Sequence, residues 1–114
     1  MDLPRPIPLD LAELIAQRLR IIGDPTRIRI LDLLRDGERS VGEITDGLQT
    51  SQQNASKHLG VLLQAGIVAR RKAGTSALYR VADPTVFDLC EQVCGGLRNQ
   101  LDELAAVVSG AAPA

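Results

Sequence analysis

After Ala65-Gly66 the spacing of apolar residues changes from the three-to-four repeat of helices to the alternation of strands, and after Asp83-Pro84 it changes back. Ile67-Val68-Ala69-Arg70-Arg71-Lys72 reads as a strand, Ala73-Gly74-Thr75-Ser76 as a turn, and Ala77-Leu78-Tyr79-Arg80-Val81 as a returning strand. One β-hairpin is therefore expected between helical segments. At 114 residues the chain is one small domain, too short for two independent cores. An apolar fraction of 45% supports a packed globule, yet there is only one Phe and one Tyr. The core must be aliphatic, which suits helices.

The helical segments are marked by their starts and stops. Alternating Pro4, Pro6 and Pro8 predict an extended arm over residues 1–9. Asp10, with Glu13 three residues on, is a candidate N-cap for a first helix whose stripe is Leu11, Leu14, Ile15, Leu19 and Ile22, ended by Gly23. Asp24-Pro25 starts a second helix, with Asp as cap and Pro at the first helical position. Ile28, Leu31 and Leu34 are its expected buried face, with Arg27, Arg29, Asp32 and Arg35 toward solvent, and Asp36-Gly37 stops it. Ser40-Val41-Gly42-Glu43 has capping-box spacing for a short third helix burying Val41, Ile44 and Leu48. Gln49-Thr50 leaves a tight connection before a fourth, capped by Thr50 or Ser51. Two short helices so joined form a helix-turn-helix pattern. The expected fold is mostly α with a two-stranded hairpin, a winged helix-turn-helix. Its order is four helices, two strands and a last helix running to about Val108. The domain covers 10–108, and residues 109–114 form a frayed tail.

The fourth helix carries the strongest functional signal. Ala55, Leu59, Leu62 and Leu63 fall on one face as a core stripe, while Gln53, Ser56, Lys57 and Gly60 fall on the other. That outer face is polar, mostly short-chained, and holds one cation and no carboxylate. It suits a polyanion, and the expectation is that it enters a DNA groove. The formal net charge of −1 conceals this. Between Asp46 and Asp83 there is no acid, while Lys57, Arg70, Arg71, Lys72 and Arg80 give five positive charges; the other 8 cations and 14 acids leave −6 elsewhere. A basic face on an acidic body is the footprint of a DNA-binding module. Ser51, Gln52, Gln53, Asn54 and Ser56 can donate or accept at base edges or phosphates. Lys57 and the hairpin cations Arg70, Arg71, Lys72 and Arg80 suit phosphates or the minor groove. The plainer alternative for each of these residues is a solvated surface.

The blocks Gly23-Asp24-Pro25-Thr26-Arg27-Ile28-Arg29-Ile30-Leu31, Leu33-Leu34-Arg35-Asp36-Gly37-Glu38 and Val41-Gly42-Glu43-Ile44 resemble the winged-helix repressors of the ArsR/SmtB family. So do Ser51-Gln52, Ser56-Lys57-His58-Leu59, Gln64-Ala65-Gly66-Ile67-Val68 and Tyr79-Arg80-Val81, in family order over residues 11–95. The resemblance implies a homodimeric, cytoplasmic transcriptional regulator on an inverted-repeat operator in double-stranded DNA. Such regulators usually repress, and release DNA when a metal ion or reactive small species binds. His58 matches a position at or near the DNA face in the family, where a phosphate contact or a local hydrogen bond is expected.

In the last helix Val86, Cys90, Val93 and Leu97 form one apolar row and Phe87, Cys94, Leu101 and Val108 another. The first helix has a similar stripe, and one small domain cannot easily bury both. In the family the first and last helices pack on their dimer mates. The implied interface here is Leu11, Leu14, Ile15, Val86, Phe87, Cys90, Val93, Cys94, Leu97 and Leu101.

Cys90 and Cys94 admit two readings. Both are small buried hydrophobes, or they form an effector site of thiolates for a soft metal or a redox signal, completed by other groups. Their i,i+4 spacing is poor for a direct disulfide. The arsenic- and cadmium-type sensors of the family carry cysteines in the helix before the recognition helix, and residues 40–48 have none. The zinc- and nickel-type sensors place Asp and His along the final helix, and this one has no His. A transition-metal ion is a candidate cofactor, but the sequence requires none.

No apolar run reaches the roughly 20 residues of a membrane span, and Met1-Asp2-Leu3-Pro4 lacks signal-peptide features. A cytosolic chain with free thiols is expected. An enzyme lacks support: there is no Ser/His/Asp or Cys/His set, no phosphate loop and no His–carboxylate cluster. The remaining rival is a winged-helix co-regulator, acting through a protein partner, even as an activator, without metal or thiol sensing.

Overall fold

A computed structural model describes residues 2–110. It divides into two compact units, residues 1–83 and residues 84–114. In the first unit an extended segment leads into α1 (Leu9–Ile22), followed by α2 (Pro25–Leu33) and a single 3₁₀ turn at Leu34–Asp36. Then come β1 (Arg39–Ser40), α3 (Val41–Leu48), α4 (Gln52–Gln64), β2 (Val68–Ala73) and β3 (Ser76–Val81). The second unit is one helix, α5 (Thr85–Val108).

The capping signals act as their chemistry requires. Asp24 takes two orphan N–H groups of α2, those of Thr26 at 2.9 Å and Arg27 at 3.1 Å. Ser40 and Glu43 form a reciprocal box: Glu43 N–H donates to Ser40 Oγ at 3.2 Å, and Ser40 N–H to Glu43 Oε1 at 3.0 Å. Ser51, not Thr50, caps α4 by accepting from Asn54 N–H at 3.1 Å. Gly66, with φ +75°, turns the chain out of α4, and Ile67 N–H returns to Leu62 O at 3.0 Å.

Asp10, by contrast, is not a cap. The helix begins two residues earlier, with Pro8 at the N-cap and no side-chain bond; Pro8 O accepts from Ala12 N–H at 2.9 Å. The arm therefore ends at residue 8.

In α2 the inward row is Ile30, Leu31 and Leu34, 0%, 2% and 3% exposed, whereas Ile28 is exposed. The row starts at Arg27, four residues before Leu31, and Arg27 is half-buried rather than solvated. Its Nε donates to Ile21 O, its Nη2 to Arg20 O at 3.5 Å, and its Nη1 lies 3.0 Å from His58 Nδ1. A charged side chain with three acceptors can occupy a core row, so a reading by hydrophobicity slid the row by one residue. A second arginine ties α1 down similarly: Arg18 donates to Ala65 O at 2.7 Å and to Asp83 Oδ2 at 2.6 Å.

The core is aliphatic apart from Tyr79, with Ile44, Ala55, Leu59, Leu62 and Ile67 fully buried and no buried polar residue among those described. Val41 and Leu63 are half-buried. The hairpin register pairs Val68 with Val81 and Ala73 with Ser76, around a turn whose Gly74 has φ +63°. The sheet has a third strand beyond the expected hairpin. Short β1 pairs antiparallel with β3, Arg39 opposite Tyr79 and Ser40 opposite Leu78, giving the order β1-β3-β2.

Candidate nucleic-acid interface

Helix α4 presents two chemically opposite faces. Ala55, Leu59 and Leu62 are 0% exposed, while Gln53, Ser56, Lys57 and Gly60 are all exposed. Ser51 and Gln52 are exposed at its N-terminal end. Packing against α2 and α3 fixes the buried stripe, so the polar row is held outward on a rigid element. The α3–α4 turn passes through Gln49, whose φ of +54° is the only left-handed backbone of a non-glycine residue among those described.

Within α4, Asn54 and His58 of the expected contact set have side-chain partners. Asn54 is half-buried and its Nδ2 donates to Thr50 Oγ1 at 3.0 Å. The His58 side chain is only 12% exposed, between Arg27 Nη1 at 3.0 Å and Asp24 Oδ1 at 3.9 Å. An arginine can only donate, so in this contact His58 Nδ1 is the acceptor. Of the two roles expected for His58, the structure supplies the local hydrogen bond.

The cations of the sheet divide between its faces. Side chains of directly opposed residues share a face, so Arg70 and Lys72 lie with Tyr79 and Ala77, while Arg71 and Arg80 lie with Leu78 and Ala69. Lys57, Arg70, Lys72 and Arg80 are exposed and enter no ion pair among the described residues. Arg71 does: Glu38 grips it with Nε–Oε2 at 2.8 Å and Nη2–Oε1 at 2.9 Å. Hydrogen bonding by Arg71, then burial in the opposite sense, then the charges of Arg71 and Arg80, hold the Glu38 carboxyl below its ordinary value. The acid-free stretch of sequence thus acquires one carboxylate in space. Glu38 lies 33 residues from Arg71, and no local pattern marks it.

In the second unit Val93, Leu97, Leu101, Leu104 and Val107 are each more than half exposed. Cys94 is exposed and Cys90 half-buried, both free thiols. Val86 is 2% exposed. Leu11, Ile15 and Phe87 are half-buried, while Leu14 on α1 is 64% exposed. No group of three His, Cys, Asp or Glu side chains that could hold a metal exists among the described residues. None of the described helices is long and apolar enough to cross a membrane.

Four helices ending in a helix-turn-helix, a short strand that pairs with a basic hairpin, and a long final helix define a winged helix-turn-helix protein. A family model described as a helix-turn-helix domain matches residues 22–71. The chain belongs to the ArsR/SmtB family of winged helix-turn-helix transcriptional regulators. It is 39% identical over 101 residues to the HTH-type transcriptional regulator Rv0081 of Mycobacterium tuberculosis, covering 86% of this chain and 87% of that one. The Rv0081 crystal structure superposes with a TM-score of 0.74 over 84% of this chain and 97% of that chain, at 37% identity. The homodimeric winged helix-turn-helix DNA-binding domain of Mb0332 from Mycobacterium bovis superposes with a TM-score of 0.67 at 30% identity, covering 87% of this chain and 94% of that one. The HTH-type transcriptional repressor SmtB of M. tuberculosis is 38% identical over 80 residues, 70% of this chain and 59% of that one.

Proposed function

We propose that this regulator acts as a cytoplasmic homodimer that binds an inverted-repeat operator and represses transcription. The observation that carries the reading is the outward row of α4, polar, acid-free and locked in place by a fully buried opposite face. Ser51, Gln52, Gln53 and Ser56 read base edges or phosphates from the N-terminal half of α4, and Lys57 pairs with phosphate. Arg70, Lys72 and Arg80 on the wing add phosphate contacts. A homodimeric DNA-binding neighbour of the same fold supports the pairing of copies, and a repressor among the relatives supports the sign of regulation.

The exposed leucines of α1 and α5 are the dimer surface. Leu14, Val93, Leu97 and Leu101 each expose more than half their area, an apolar cost that a second copy removes. Cys90 and Cys94 are the input: two thiols one turn apart, one exposed on that same surface, through which a soft metal or thiol-reactive effector alters the dimer.

The test is affinity for a fragment of the regulated promoter across a salt series. A specific complex weakens steeply as salt rises through counterion release, with Lys57→Ala flattening the slope by about 0.9. A salt-independent interaction refutes DNA binding. Effector response is read by repeating the measurement with Cys90→Ser and Cys94→Ser in the presence of metals and thiol oxidants. Unchanged responses in both variants return the cysteines to a packing role.

A further inference from the structure

The Glu38–Arg71 pair sits where a DNA-binding wing should have no carboxylate. Register explains how it forms. Arg71 and Ser40 both lie opposite Leu78, and Arg39 lies opposite Tyr79. Extending β1 back by one residue brings Glu38 alongside Arg80, on the sheet face that holds Arg71. The carboxylate engages the Nε–Nη2 edge of the guanidinium, leaving both Nη1 hydrogens and one on Nη2 as donors. The Arg71 side chain is 53% exposed and that of Glu38 is 29% exposed. The contact therefore does two things at once: it cancels a charge, and it holds the free edge of a flexible arginine in one orientation.

These effects act differently on random and cognate DNA. Non-specific affinity follows the number of phosphates neutralised, whereas specific affinity adds groups held in the right geometry. We propose that Glu38 is a specificity-determining residue, which removes Arg71 from indiscriminate phosphate binding while presenting its free edge to one fixed position on the operator. This rests on the reading that the wing meets DNA.

The test compares wild type, Glu38→Gln, Arg71→Ala, the double variant and Lys57→Ala, as full chains, on a random-sequence duplex and on the promoter fragment. Glutamine keeps an acceptor for Arg71 but removes the charge. Glu38→Gln is expected to bind random DNA more tightly and to steepen the log-affinity against log-salt slope by about 0.9. Its preference for the promoter fragment should fall about threefold or more at low salt. The double variant, neutral again at this point, should return to the wild-type slope. A Lys57→Ala slope shallower by about 0.9 beside an unchanged Glu38→Gln slope overturns the proposal alone. So does a Glu38→Gln variant that keeps the wild-type preference. Wild-type protein with no salt-dependent binding to either duplex overturns the DNA reading and the proposal with it.

Discussion

Replacing Gly60 by Ala should move stability and DNA affinity in opposite directions. Gly60 lies inside α4 on the exposed row with Gln53, Ser56 and Lys57. A Cβ built there meets no atom within 4 Å. No packing is disturbed, so the change should register helix propensity, a gain of about 0.5–1 kcal/mol for Gly→Ala. In a domain of this size each kcal/mol corresponds to roughly 4–8 °C in Tm. Chemical and thermal unfolding measure this directly. If α4 lies in a groove, its backbone at Gly60 is close to DNA, and the added methyl overpacks that contact at about 1–3 kcal/mol. Promoter affinity should then drop about tenfold, equivalent to 1.4 kcal/mol. Because no charge changes, the salt slope should stay as in the wild type, which separates this loss from that of Lys57→Ala. A stabilised variant with undiminished promoter affinity would refute the placement of this row against DNA. A destabilised variant would refute the open space around Gly60.

Three further predictions follow from the folded framework. Asp24→Ala removes the α2 cap and should cost about 0.5–2 kcal/mol near neutral pH. The Asp24 carboxyl is held below its ordinary value chiefly by the Arg27 backbone N–H, with burial opposing and the charges of Arg27 and His58 assisting. Its contribution is therefore present above about pH 4 and fades as pH falls through the lowered value, so the wild-type and variant unfolding curves should converge in acid. Leu59→Ala, at a position 0% exposed, should destabilise by about 2–5 kcal/mol in urea unfolding; a cost under 1 kcal/mol would contradict its central place in the core. Leu97→Glu, at a position 56% exposed in one copy, should leave the circular dichroism of the fold intact while shifting sedimentation toward monomer. A dimer that persists would remove this row from the interface.

The parts of the fold that were legible in the sequence are those decided by local chemistry. Asp24-Pro25, Ser40 with Glu43 and Ser51 each satisfy backbone groups within three residues, so pattern alone locates α2, α3 and α4. The two faces of α4 were legible too, since a helical repeat with no acidic residue separates core from surface. What escaped depends on partners distant in sequence. Arg27 occupies a core row because Arg20, Ile21 and His58 offer it acceptors, and hydropathy could not anticipate that. Strand β1 is two residues long, too short for alternation to show. Glu38 reaches Arg71 only through the β1-β3-β2 order. Val86 falls in the apolar row of α5 like Val93, and only the folded chain separates them, one 2% and the other 55% exposed.

The central claim is that two copies present their α4 faces to successive turns of one duplex. Hydroxyl-radical footprinting of the wild-type protein on its promoter fragment tests this most directly. Two protected patches are expected on one side of the duplex, their centres about one helical turn, roughly 34 Å, apart. Leu97→Glu should lose both patches together. A single protected patch from wild-type protein, or two that respond independently to Leu97→Glu, would contradict the claim.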